Sequence, residues 1–177
     1  VGMACQYQSY EYMEIGSAEF EQMVQDTLDL IEFANGDESS EWGKVRAQLG
    51  HKAPFGLEYL GIGNEQWQMD NTDFFARYKI FEQRIHAKYP EIKLIGSAGP
   101  DVTSNHYTDA WEFYRKEKKN NPNFVYAIDE HYYMPPKWFL EHNDFYDNYP
   151  RDIKVFAGEY AAHDPEIDRP CAHIRLS

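Results

Sequence analysis

Residues 57–67 read LEYLGIGNEQW: a short apolar run halts at Gly63, and Asn64-Glu65 follows at once. The run has strand length and is bounded by a glycine, so it predicts a β-strand over 57–63. A glutamate at such a boundary has two readings. It is either the solvated end of a strand or a carboxyl group placed there for chemistry.

Working outward, three more runs share the same character: IKLIGS (92–97), FVYAID (124–129) and IKVFAG (153–158). GMACQY (2–7) is an N-terminal candidate of the same kind. Near-continuous apolar strands suit a parallel sheet covered on both faces. Between them lie helical patterns. In SAEFEQMVQDTLDLIEFANG, the residues Phe20, Met23, Val24, Thr27, Leu28 and Ile31 form one face. Ser17 is the expected N-cap and Asn35-Gly36 the stop. A shorter helix is expected around Trp42, Val45 and Leu49. A third starts near Asp73 and turns Phe74, Tyr78, Phe81, Ile85 and Tyr89 inward. Weaker helical patterns cover 107–118 and 136–146.

Alternating strands and helices predict an α/β fold. The strand starts at 57, 92, 124 and 153 are 29–35 residues apart. A (β/α)8 TIM barrel of about 250 residues spends roughly 31 on each unit. A doubly wound sheet shares that spacing, but no GxGxxG or GxxxxGK[ST] loop follows a strand here. Five strand candidates amount to about five-eighths of a barrel, which leaves two open sheet edges. Open edges invite pairing with another chain, so a lone fragment is expected to be a homo-oligomer such as a dimer, or else only marginally stable.

With 30 acidic and 17 basic residues, the 177-residue chain carries a net charge of −13. That balance argues against nucleic acid or an anionic membrane as a partner. No apolar run approaches the roughly 20 residues needed to span a bilayer. The opening VGMACQYQ lacks an initiator Met and suggests a cut from something longer, so compartment stays unassigned. Cys5 and Cys171 show neither metal-ligand spacing nor disulfide density. The 14 Tyr, 11 Phe and 4 Trp suit either a packed core or a cleft where rings stack on sugar C–H faces.

In parallel α/β folds, functional groups gather at the C-terminal ends of strands. Those ends read GNEQW (63–67), GSAGPD (96–101), DEHYY (129–133) and GEYAAH (158–163). Glu65 and Glu159 terminate strands three apart in the series and so could converge across one mouth, and paired carboxylates are what glycoside hydrolysis requires. Asn64 can offer its amide to a sugar hydroxyl. His131 and Tyr133 share a strand face by alternation, and Glu130 faces the other way, outside the catalytic set. A metal site built from His131, His163, Asp164 and the nearby glutamates is the rival chemistry, but no HExxH or His-x-His spacing supports it. No GxSxG elbow is present.

With these residues in place, DLIEFANG, SEWGKVRAQLGH, PFGLEYLGIGNEQW and VFAGEYAAH resemble the α-L-arabinofuranosidases of glycoside hydrolase family 51. These are retaining enzymes of the large (β/α)8 clan. The resemblance covers most of 1–165, read as a partial catalytic domain, and leaves 166–177 as a tail unlike the family. It implies about strands 3 to 7 of the barrel, with Glu65 on the fourth as general acid/base and Glu159 on the seventh as nucleophile. It further implies Asn64 on the sugar 2-hydroxyl, His131 and Tyr133 beside the nucleophile, and Trp67 toward the leaving group. No cofactor or metal is implied, and the substrate would be an arabinose-containing oligo- or polysaccharide. The alternatives are another clan member, an endo-glucanase or xylanase, or a non-catalytic barrel fragment that binds sugar or self-associates.

Overall fold

The computed structural model describes residue 1, residues 13–68 and residues 72–163. The strand candidate at 2–7 and the tail at 166–177 lie outside the described residues. Four strands, β1 (Tyr59–Ile62), β2 (Lys93–Ser97), β3 (Ala127–Met134) and β4 (Lys154–Ala162), form one parallel sheet in the order β1-β2-β3-β4. Chain order and sheet order coincide, without the reversal that defines a doubly wound sheet. Val1 lies along the outer edge of β1. Its amine donates to the Gly61 carbonyl at 2.7 Å, and its own carbonyl accepts from the Gly63 N–H at 2.9 Å.

Helices α1 (Ala18–Asn35) and α2 (Glu41–Gln48) precede the sheet, while α3 (Phe74–Lys88), α4 (Asn105–Lys118) and α5 (Pro136–Glu141) connect successive strands. α1 forms as its pattern dictates. Ser17 caps it by accepting from the Phe20 N–H at 3.1 Å, and Phe20, Val24, Thr27, Leu28, Ile31 and Ala34 are buried. α3 buries Phe74, Tyr78, Phe81 and Ile85, with Tyr89 only half-buried beyond its end. Asp73 precedes α3 in a left-handed conformation and makes no side-chain cap. These faces pack with Leu60, Ile62, Leu94 and Ile128 of the sheet in one aromatic-rich core, where Phe20 meets Phe81 edge-on and the Tyr78 hydroxyl donates to the Phe124 carbonyl.

α2 departs from its apolar pattern. Leu49 is exposed, and the buried residues are Gly43 and Arg46. The Arg46 guanidinium donates to the carbonyls of Phe33, His51 and Lys52 at 2.7–3.0 Å, pinning the turn after α2 to the end of α1. A Cβ on Gly43 would sit 1.9 Å from the Asp37 carbonyl oxygen. The SEWGKVRAQLGH stretch is therefore held by packing and backbone satisfaction.

Two strand limits also differ from expectation. β3 begins at Ala127 and runs through Met134, so DEHYY lies within the strand rather than past its end. β4 runs to Ala162 and carries Glu159 inside the ladder, opposite His131. β4 lengthens β3 because the two pair along nearly their whole length, and a ladder partner overrides a local stop signal. Through β3 the sheet buries one face under the helices, while the edge strand β4 leaves Tyr160 on that face exposed. On the other, Tyr59, Tyr133 and Phe156 are exposed among the described residues, so covering on both faces is not seen. No helix of the described residues is long and apolar enough to cross a membrane.

Candidate active site

The open face of the sheet carries the candidate residues. β1 ends at Ile62, and the chain turns through Gly63 (φ 85°) to Glu65, which takes the left-handed φ of 51°. Glu65 is thus three residues past the strand in a turn, a correction to its placement as a strand terminus. A left-handed conformation is uncommon for a non-glycine residue. Here it accompanies a carboxylate directed at β3, where Glu65 Oε1 lies 3.0 Å from His131 Nδ1. The turn is braced by Gln66, whose Oε1 accepts from the Asn64 N–H and whose carbonyl accepts from the Ser97 hydroxyl.

His131 sits at the centre and is only 2% exposed. Its Nδ1 is 3.0 Å from Glu65 and 3.8 Å from Glu159 Oε2, and its Nε2 is 3.2 Å from Asp129 Oδ2. Burial alone would lower the imidazole's pKa. Hydrogen bonds to Asp129 and Glu65, with the charges of Asp129 and Glu159, outweigh it and raise the value to about 9. The ring is therefore an imidazolium at neutral pH. Tyr133, on the same face, donates its hydroxyl to Glu159 Oε2 at 2.7 Å, and that bond to a carboxylate raises the phenol's pKa.

Glu65, His131 and Glu159 each place one donor atom within 4.8 Å of the other two. Three such atoms are a geometry a divalent cation can use, and binding there would displace the proton from His131 Nδ1. Of the rival ligands, His163 closes the end of β4 with its N–H on the Met134 carbonyl, and Asp164 lies outside the described residues.

The structure thus brings together Glu65, Glu159, His131 and Tyr133: alternation puts the last two on one face, while Glu65 lies past its strand and Glu159 within its own. Asn64 is exposed in the turn beside them. Trp67 stacks on His106, with ring centroids 4.9 Å apart, at the start of α4. Glu130 points to the opposite face, fully buried, and accepts from the Trp111 indole at 2.8 Å and the Tyr149 hydroxyl at 2.7 Å. Sequence reasoning passed over Asp129. The period-2 alternation that pairs His131 with Tyr133 also puts Asp129 on their face, and that signal was available.

Comparison with known proteins bears on the family. Residues 2–151 match the family described as the alpha-L-arabinofuranosidase 1 domain. An extracellular exo-alpha-L-arabinofuranosidase of Streptomyces chartreusis is 49% identical over 140 residues, covering 78% of this chain and 16% of that protein. Alpha-L-arabinofuranosidase 1 of Arabidopsis thaliana is 38% identical over 129 residues, covering 72% and 19%. Among solved structures, the arabinose-bound MgGH51 α-L-arabinofuranosidase superposes with a TM-score of 0.62 at 28% identity, over 86% of this chain and 22% of that one. The chain spans about a fifth or less of the length of these curated relatives. On the family match and these identities, the chain belongs to the α-L-arabinofuranosidases of glycoside hydrolase family 51.

Proposed function

We propose that Glu65 and Glu159 are the carboxylate pair of a retaining α-L-arabinofuranosidase, held on a (β/α)8 barrel of which residues 1–165 form part. The observation that carries the reading is the approach of the two carboxyl groups, with an oxygen of each inside 4.8 Å. Retaining glycosidases hold this pair about 5–5.5 Å apart, whereas inverting enzymes leave about 6.5–9.5 Å for a water. The four strands in sequential order support the barrel.

In this mechanism Glu159 attacks the anomeric carbon of a terminal arabinofuranosyl residue, while Glu65 protonates the departing glycosidic oxygen. Water, deprotonated by Glu65, then hydrolyses the glycosyl ester. Tyr133 holds Glu159 as a carboxylate aimed at the sugar. His131 Nδ1 lies against both carboxylates, and the proton that Glu65 delivers is shared with that nitrogen. Asn64 meets the sugar 2-hydroxyl, and Trp67 borders the leaving group. The substrate is an arabinose-containing oligo- or polysaccharide, and the reaction needs no cofactor.

Four strands are half a barrel, so this chain alone is expected to turn over far more slowly than its longer relatives. The decisive experiment grafts residues 13–163 into the matching part of the Streptomyces chartreusis enzyme. The chimera should hydrolyse aryl α-L-arabinofuranosides with retention, in preference to aryl xylosides and glucosides. Glu159→Ala or Glu65→Ala should then remove at least about 10³-fold of the activity. A folded chimera that is inactive, or one that keeps its rate after both changes, refutes the assignment.

A further inference from the structure

Asp129 has a position that neither catalytic carboxylate explains. Its Oδ2 lies 3.2 Å from His131 Nε2, and its Oδ1 accepts from the Gly158 N–H at 3.0 Å. The second bond falls where the β3–β4 ladder breaks register. Asp129 pairs with Phe156 and His131 with Glu159, so β4 spends one residue more than β3 over this stretch. That extra residue turns the Gly158 N–H toward the Asp129 carboxylate and puts Glu159 opposite His131. The approach is so close that a Cβ on Gly158 would lie 2.3 Å from Asp129 Oδ1.

We propose that Asp129 is a positioning residue, one carboxylate that keeps the proton of His131 on Nε2 and locks the β4 bulge carrying Glu159. The proposal rests on reading Glu65 and Glu159 as the working pair. A carboxylate is an acceptor only, so the nitrogen facing it must bear hydrogen. With Nε2–H committed to Asp129, Nδ1 is the nitrogen that exchanges a proton with Glu65. The exchange is balanced within the pair: a protonated Glu65 and bare Nδ1 interconvert with a Glu65 carboxylate and Nδ1–H of the imidazolium. Turned to the other tautomer, Nδ1 would carry its hydrogen permanently and could not take the proton from Glu65. An acidic residue that fixes an imidazole tautomer plays the same part for the His of Ser-His-Asp sites.

The charged groups against the ring are Glu65 beyond β1, Asp129 on β3 and Glu159 on β4. The β2 position paired with Asp129 is the neutral Ser97. The imidazole pKa of about 9, raised by Asp129 and Glu65 against the pull of burial, accords with this setting.

Nitrogen-15 NMR of the histidine-labelled chain tests the proposal without requiring turnover, and the resonance lost in His131→Gln identifies the ring. In the wild-type chain, Nε2 should stay protonated on both sides of the titration while Nδ1 titrates. In Asp129→Asn, which removes the negative charge, the midpoint should fall by about one unit or more, a tenfold loss of proton affinity. A wild-type neutral ring with its hydrogen on Nδ1 overturns the proposal. So does a folded Asp129→Asn chain whose His131 midpoint is unmoved. Should Asp129→Asn not fold, the wild-type tautomer alone decides. A chimera without glycosidase activity but with the expected tautomer would count against the function and leave the role of Asp129 standing.

Discussion

Tyr133 donates its hydroxyl to Glu159 Oε2 at 2.7 Å across the β3–β4 ladder. The ring is half exposed, so the bond and not the burial is what the residue contributes to the site. A hydrogen bond to a charged group is worth about 1.5–3 kcal/mol. Tyr133→Phe should therefore leave the melting temperature nearly unchanged and lower kcat in the chimera about 10–100-fold. An unaltered kcat would show that Tyr133 does not act through Glu159.

Arg46 should matter to folding as much as any apolar core residue. It is fully buried and serves three backbone carbonyls that nothing else in the turn satisfies as directly. Arg46→Met keeps most of the volume and strands those acceptors, at a cost of about 3 kcal/mol or more. Denaturant unfolding of the chain measures it, and a loss under about 1 kcal/mol would show that water replaces the guanidinium.

Gly96 on β2 touches the ring of Tyr114 on α4 so closely that a Cβ would lie 2.3 Å from it. Tyr114 is itself fully buried and donates to the Ser97 carbonyl at 3.1 Å. With the ring packed against Tyr78 and Phe113, Gly96→Ala should cost about 1–3 kcal/mol through overpacking. A variant as stable as the parent would mean that α4 can shift off the sheet.

Stability should fall as the solution becomes alkaline. The His131 pKa is raised in the folded chain to about 9, and that of His86 is raised by its hydrogen bond to Glu82. Bases raised on folding stabilise fully below their unfolded pKa of about 6.5 and lose that contribution as pH rises through the folded value. The melting temperature should accordingly decline between about pH 6.5 and 9, and His131→Gln should flatten much of the slope. A melting temperature constant or rising over that window would show that His131 is not held as an imidazolium.

Much of this was legible in local pattern. The α1 face, its Ser17 cap and the α3 face follow from 3.6-residue periodicity, which depends only on neighbours along the chain. Four of the strand candidates fell near their true places, since apolar runs bounded by glycine and proline have few other uses. Glu65, Glu159, His131 and Tyr133 could be singled out because the strand ends of a parallel sheet share one rim. The stretch SEWGKVRAQLGH, by contrast, carried the resemblance without revealing its physical role. Only the packed chain shows Arg46 buried on three carbonyls where its pattern suggested an apolar helix face.

What the sequence determined by itself was therefore the set of elements and the residue types that meet at their ends. Tertiary structure decided the rest. Glu65 takes a left-handed turn beyond β1 rather than ending the strand, β3 and β4 extend because each supplies the other's hydrogen bonds, and β4 gains its extra residue only against that partner. Periodicity along one strand cannot encode a shift in register between two. The contact of Asp129 with Gly158 exists only through that shift, and so does the place of Glu159 opposite His131.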